Sequence, residues 1–186
     1  SALSDFSKDP SIKAIVVRVD SPGVSVAPSQ EIFFEMKKIR EKKKIVVSMG
    51  NLAASGGYYI ALGGNRIVAN PGTITGSIGV ISTVPNFREL AKFLKLDYRV
   101  IKSGPYKDTG SPLKEFDQKD EELFTSIVQN IYEQFLQDVI AERNIPREQL
   151  AHLADGRVLT GKQAHESKLV DELGNLQVAM QISLDL

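Results

Sequence analysis

A lone hydroxyl at a turn is the first place in this chain where chemistry is possible. In "NLAASGGYYIALGG", residues 51–64, Ser55 stands between two alanines and two glycines. The apolar run Ile45 to Val47 leads into it and a helix-like segment follows. A strand that turns sharply into a helix presents its turn residue at the carboxyl end of the sheet, where α/β folds hold their ligands. The nucleophile elbow G-x-S-x-G works in this way, and the matching positions here are Ala53, Ser55 and Gly57. Small neighbours let a substrate backbone approach. A helix starting there points unpaired N–H groups, that of Gly56 among them, at developing negative charge. Ser55 therefore has the setting of an acyl-transfer nucleophile. The other reading is a serine N-cap before a glycine-softened helix start, and the pentapeptide by itself favours that reading.

A nucleophilic serine needs a base. The two histidines, His152 and His165, lie in charged, helix-like stretches, "LAHLAD" and "KQAHESK". Surface positions on helices explain both. Lysine is the other candidate, and it must be neutral to accept a proton. Removal from water favours the neutral form, because the ammonium loses its hydration. Most lysines here have charged neighbours. Lys107 instead lies in "SGPYKDTGSP", a loop punctuated by Gly104, Pro105, Gly110 and Pro112 and next to Tyr106. A loop lysine is commonly just solvated, so this evidence is weak alone.

Two further segments could complete such a site. "SPGV", Ser21 to Val24, closes the first apolar run. Adjacent parallel strands end on one edge, so the N–H of Gly23 can face that of Gly56 and form an oxyanion hole; the plainer reading is a Pro-Gly turn. In "NPGTITGSIGV", Gly72, Gly76 and Gly79 bracket Ser77. Its hydroxyl could orient a lysine amine; the plainer reading is a flexible glycine loop.

Holding these residues together takes a parallel sheet. "AIVVRVD", residues 14–20, is β-branched without alternation, which fits a strand buried on both faces. A helix follows, with Pro28 at its first position and Ile32, Phe33, Met36 and Ile39 at helical spacing. "KIVVSM" is the next strand, giving a βαβ unit with a right-handed crossover. Ser55 then opens a helix through about Leu62. "NRIVAN", "GVISTV" and "DYRVIK" read as strands, and "NFRELAKFLKL" as a short amphipathic helix capped by Asn86. "SGPYKDTGSPLKEF" should be irregular. The longest helix runs from about Lys119 to Arg143, with an apolar stripe from Leu123 to Val139. "PREQLAHLA" and "TGKQAHESK" are shorter helices, with Thr160 a cap and Gly174 a stop.

A chain of 186 residues suits one domain. Basic and acidic residues balance at 23 each, so no bulk field draws the chain to nucleic acid or anionic lipid. The lysines of 37–44 read as a solvated helix face and end. Cysteine is absent, which excludes disulfides, thiolate catalysis and cysteine-ligated metals. No run reaches the roughly eighteen apolar residues of a membrane span, and no signal peptide is visible. The start, "SALSDFSKDPSIK", enters midway through a domain, so an upstream segment is expected to have been removed.

Taken together, "RVDSPG", "AASGGYYIA", "ANPGTITGSIGVI", "SGPYKDTGSP" and "GRVLTGKQAHESKLVDELG" resemble the signal peptide peptidase A family, also called protease IV, from about Lys13 to Gly174. The resemblance implies an α/β fold of the Clp-protease/crotonase-like kind, a ββα superhelix with a mostly parallel sheet and C-terminal helices. It implies a single catalytic domain over residues 1–186, without the family's N-terminal anchor and first strands. It makes Ser55 the nucleophile, Lys107 the general base, Ser77 the serine that hydrogen-bonds the base, and Gly23 and Gly56 the oxyanion donors. Neither metal nor organic cofactor is implied. The family's catalytic domain faces outward from the cytoplasmic membrane and degrades signal peptides after their release from preproteins. The resemblance further implies a homo-oligomeric ring, an octamer, whose sites take serine and lysine from neighbouring subunits. One departure stands out: the family's SPGG reads Gly23-Val24 here. A β-branched residue disfavours positive φ, so the loop after the donor should differ. Three rivals remain. One is a crotonase-like hydratase or isomerase of coenzyme A thioesters, whose site usually needs carboxylates. The others are a Ser-His hydrolase and a non-catalytic assembly module of the same fold.

Overall fold

The β-branched run near the start forms strand β1 (Ala14–Ser21), after a short helix α1 (Ala2–Lys8). The computed structural model describes every residue except Ser1 and Val24, so the Val24 departure lies outside the described residues. Helix α2 (Val26–Arg40) and strand β2 (Lys44–Ala54) complete the βαβ unit. Then come α3 (Gly56–Ala61), β3 (Arg66–Ala69), β4 (Ile74–Gly76), α4 (Arg88–Phe93) and α5 (Gln118–Arg143). The chain closes with α6 (Arg147–Ala151), β5 (Val158–Thr160), α7 (Gly161–Glu166), β6 (Glu172–Leu173) and α8 (Leu176–Asp185). Two compact units result, one of residues 1–79 with 133–186, the other of residues 80–132.

The first unit is built on one sheet with β2 as its hub. β1 runs parallel along one edge of β2, from Ala14 opposite Lys44. On the other edge β3 pairs with Val46–Ser48 and β4 with Leu52–Ala54, both parallel. β6 extends β3 in parallel, while β5 joins β4 antiparallel. The expected mixed α/β architecture with a mostly parallel sheet is therefore present. Its consequence for function is direct: β1, β2 and β4 all end at the same edge.

Burial explains the order of these elements. Ile45, Val46, Val47 and Met49 of β2 are completely buried, as a strand covered on both faces must be. α2 buries Phe33, Met36 and Ile39. α8 packs on β2 as well, where Ala179 joins Val46 and Val68 in a buried cluster. The Tyr59 ring of α3 stands edge-on to Phe33 at 5.1 Å and lies 4.6 Å from Phe135. α3 is thus wedged between α2 and the C-terminal half of α5.

One ion-pair cluster ties these helices together. Glu142, its side chain 9% exposed, meets Lys37 at 2.7 Å and Arg40 at 2.5 Å. Arg40 also donates to the carbonyls of Leu62 and Gly64, just past α3. Burial pushes the Glu142 carboxyl up, but hydrogen bonds from Lys37 and Arg40 outweigh it and hold the group below its ordinary 4.5. Glu142→Gln is expected to lower the unfolding free energy by about 1–2 kcal/mol at neutral pH, the cations being partly screened by solvent. A lowered carboxyl contributes stability that is full above its unfolded pKa and is lost as pH falls through the folded one. The urea-unfolding gap between the two proteins should therefore narrow once pH drops below 4.5.

Several sequence expectations need correction. "GVISTV" and "DYRVIK" form no strand. Ile81 and Ile101 of these runs are exposed, at 86% and 94%. β propensity reflects packing on a pleated surface, and among the described residues no neighbouring strand supplies one. β4 and α8 are elements that the sequence pattern does not announce. Gly174 does not stop a helix but precedes Asn175, whose side chain accepts from Val178 N–H to cap α8. Asn86 accepts from Arg88 N–H at 3.0 Å, one residue ahead of the α4 cap position. Pro28 is the third residue of α2 rather than the first. Thr160 caps as expected, in a reciprocal box with Gln163.

Candidate active site

Register brings the first two candidates together. β2 and β4 are parallel and end with Ala54 opposite Gly76. Ser55 and Ser77, the next residues, leave that edge side by side, one strand spacing of about 4.8 Å apart along the hydrogen-bonding direction. Both adopt a left-handed φ, 52° for Ser55 and 50° for Ser77. Such a backbone costs about 1–3 kcal/mol at a non-glycine residue and persists only where its surroundings dictate it. Here they do. Ser55 N–H donates to Gly76 O at 2.9 Å and its carbonyl accepts from Tyr59 N–H at 2.9 Å. Ser77 N–H donates to Arg157 O at 2.8 Å. Beyond Ser55, α3 is anchored by its tyrosines. Buried Tyr58 donates to Leu169 O at 2.9 Å, and Tyr59 donates to the Asp138 carboxylate. Burial raises both phenols above their ordinary range, so both remain donors.

The cap reading of Ser55 fails. Its φ of 52° and ψ of −119° are not those of an N-cap, and its hydroxyl accepts no hydrogen bond from the first turn of α3. The hydroxyl of this half-buried residue is therefore not spent on the helix that it precedes.

Gly23 reaches the same place from β1. It has a φ of 69°, and a Cβ there would sit 2.6 Å from Gly56 Cα and 2.8 Å from Gly57 N. The two backbones touch, which only glycine permits. Gly56 belongs to the first turn of α3, where N–H groups have no acceptor inside the helix. The N–H of Gly23 donates to Ser21 Oγ at 3.1 Å, so an incoming anion has to share or displace that contact. Gly23→Ala is expected to push α3 away from β1 and to cut turnover at least about 100-fold. Near-UV circular dichroism would separate that local shift from unfolding.

The turn behind Ser77 is also fixed. Gly156 N–H donates to Ile78 O at 3.1 Å. The Asp155 carboxylate takes hydrogen bonds from the Arg157 side chain and backbone, which draw its carboxyl down to about 2. This turn therefore keeps its charge at any pH near neutrality.

Lys107 belongs to the second unit. It is exposed, on a turn where its N–H donates to Gly104 O at 3.2 Å. Its loop is held by Lys102 Nζ on Asp108 at 2.7 Å and by Lys114 on the buried Asp120 at 2.5 Å. His152 is exposed just past α6, and His165 lies half-buried on α7. α7 follows β5, whose last residue Thr160 lies opposite Ile74 at the start of β4, so His165 is placed away from the edge that carries Ser55 and Ser77. Among the described residues no cluster of three metal-ligating side chains exists. Sequence reasoning passed over Asp20 and Thr73, which contact the β2 backbone just upstream of Ser55. The one visible sign of Asp20 was an acid closing the β-branched run "AIVVRVD"; Thr73 gave none.

The family model of peptidase family S49 matches residues 37–184. The chain belongs to peptidase family S49. The signal peptide peptidase A resemblance expected from the sequence is the one found. Relatives of this S49 chain include a candidate protease of Synechocystis sp., 46% identical over 168 residues, which are 90% of this chain and 61% of that protein. The chloroplastic serine protease SPPA of Arabidopsis thaliana is 36% identical over 92% of this chain and 25% of its own length. A candidate signal peptide peptidase SppA of Enterococcus faecium is 36% identical over 96% of this chain and 52% of its own length. The chain thus spans between a quarter and about three fifths of those relatives. Among the described residues no helix is long and apolar enough to cross a membrane.

Proposed function

We propose that this S49 chain is the catalytic part of a serine endopeptidase with a Ser55–Lys107 dyad. The observation that carries the reading is Ser55 itself: a hydroxyl with no capping role on a strained turn, beside the touching Gly23 and Gly56 backbones. Strain of this kind at a functional turn keeps the hydroxyl presented. Neutral Lys107 takes the Ser55 proton, Ser55 Oγ attacks the scissile carbonyl, and the N–H groups of Gly23 and Gly56 hold the oxyanion. Protonated Lys107 returns the proton to the leaving amine. Water then repeats the steps and frees the acyl group. Ser77, one strand spacing from Ser55, orients the amine.

The base has to shed its proton, and loss of hydration drives that. Lys107 is exposed on its own protomer, so a second copy and a bound substrate supply the covering. Phe93 at 81% and Ile101 at 94% exposure give the second unit an apolar surface of the kind that assembly buries. The reading therefore includes a homo-oligomeric ring, of octameric size, with sites shared between neighbours. Cleaved signal peptides are the proposed substrates, bound extended beside the end of β1. The proposed location is the outer side of the cytoplasmic membrane, and the proposed fold type is the Clp-protease/crotonase-like superhelix.

A fluorophosphonate tests the assignment. It should form one adduct, mapped by mass to the peptide containing Ser55, and the protein should hydrolyse a peptide ester while leaving an enoyl thioester untouched. An unlabelled Ser55, or turnover of the thioester, would contradict the reading.

A further inference from the structure

The pairing of β1 with β2 is interrupted just before the site. Val19 lies opposite Met49, but Ser21 lies opposite Ala53. Two steps along β1 (19 to 21) thus answer four along β2 (49 to 53). β2 carries two extra residues in a bulge around Gly50–Leu52. Bulges of this sort cluster next to active sites, where they re-aim the residues beyond them.

Two side chains fasten the bulge. From β1, Asp20 Oδ1 accepts the Leu52 N–H at 3.0 Å. Its carboxylate fills the space in which a side chain at residue 50 would sit, a Cβ on Gly50 lying 2.5 Å from Asp20 Cγ. From the opposite edge, the Thr73 hydroxyl, in a residue only 2% exposed, donates to Gly50 O at 2.7 Å. A buried hydroxyl and a carboxylate thus grip the same three-residue stretch from its two neighbours.

The displacement decides which residues meet at the sheet edge. In unbroken register, counting on from Val19 opposite Met49, Gly23 would stand level with Ala53. Counting on from Ser21 opposite Ala53, it stands level with Ser55, against Gly56. A shift of two also keeps every side chain on its original face, whereas a shift of one would invert them all. The bulge therefore changes only the partners at the edge. We propose that Asp20 and Thr73 are positioning residues that hold the β2 bulge and thereby set the Gly23–Gly56 donor pair. This rests on reading Ser55 as the nucleophile and that pair as the oxyanion hole.

The test uses Asp20→Ala, Asp20→Asn, Thr73→Val and Thr73→Ser in the full chain. Readouts are kcat, KM, and inhibition by a peptide aldehyde, whose hemiacetal oxygen occupies the oxyanion position. Asp20→Ala and Thr73→Val are each expected to lower kcat about 10- to 100-fold, with KM within about twofold. Aldehyde inhibition should weaken by a similar factor. Asp20→Asn keeps an acceptor for Leu52 N–H and Thr73→Ser keeps the donor, so both should recover most of the loss. A general loss of stability would not spare KM while weakening the aldehyde, nor be rescued so selectively. If Asp20→Ala does not fold, the Thr73 pair carries the test. Wild-type kcat and aldehyde inhibition in the Ala and Val variants would overturn the inference, as would a fall that the conservative variants share. Failure of the underlying reading looks different: the wild-type protein itself would then resist the aldehyde and hydrolyse peptides equally well as Ser55→Ala.

Discussion

Ser55→Ala is expected to reduce peptide hydrolysis by about 10⁴- to 10⁶-fold, the range typical of removing a serine nucleophile that works as one unit with its base. Substrate binding should persist, because only Oγ is lost. Stability should change little, since alanine inherits the same strained backbone. Ser55→Gly separates catalysis from strain. Glycine adopts a φ of 52° freely, so this variant should be equally inactive yet more stable than wild type. The gain is about 1 kcal/mol, after the greater unfolded-state entropy of glycine is set against the strain relieved. Urea unfolding measures it. A glycine variant less stable than the wild type would mean that the Ser55 turn carries no strain, and activity near the wild-type level in Ser55→Ala would remove it as the nucleophile.

The second large effect is expected at Lys107. Lys107→Ala should lose activity on the same scale as Ser55→Ala. Lys107→Arg should be nearly as poor, because a guanidinium stays protonated and cannot act as a base. Folding of the second unit should survive both changes, since the Lys102–Asp108 and Lys114–Asp120 pairs that hold its loop are untouched. The two inactive proteins also report on sharing between copies. If each site takes its serine from one protomer and its lysine from the next, a random equimolar mixture restores both groups at about one half times one half, or a quarter, of sites. Activity near that level after dissociation and reassembly is the expected result. A mixture as dead as its components would place both groups on one chain.

Legibility in the sequence depends on how local each feature is. β1 and β2 were legible because Ile15–Val17 and Ile45–Val47 are β-branched runs without alternation, and the two runs pair residue for residue in the sheet. The turn at Ser55 was legible because alanine and glycine remove side chains on both sides of it. Its left-handed backbone was not, because the pentapeptide by itself favours a cap. β4 is three residues long and is defined only by its partners, Leu52–Ala54 and Val158–Thr160. The bulge at Gly50 depends on register between segments some thirty residues apart in sequence, which no local pattern encodes. "GVISTV" and "DYRVIK" misled for the converse reason. Their composition suits a strand, but a strand needs a neighbour. Lys107 was singled out by its loop punctuation, and nothing local says what covers it.

The pH dependence of fluorophosphonate labelling at Ser55, compared between the wild type and Lys107→Ala, probes the dyad without needing a natural substrate. The wild-type rate should rise with pH to a plateau, as for any reaction that needs an unprotonated general base. In Lys107→Ala the rate should be at least about 100-fold lower at the plateau and should lack that rise. Equal rates with the same pH profile in the two proteins would show that another group activates Ser55.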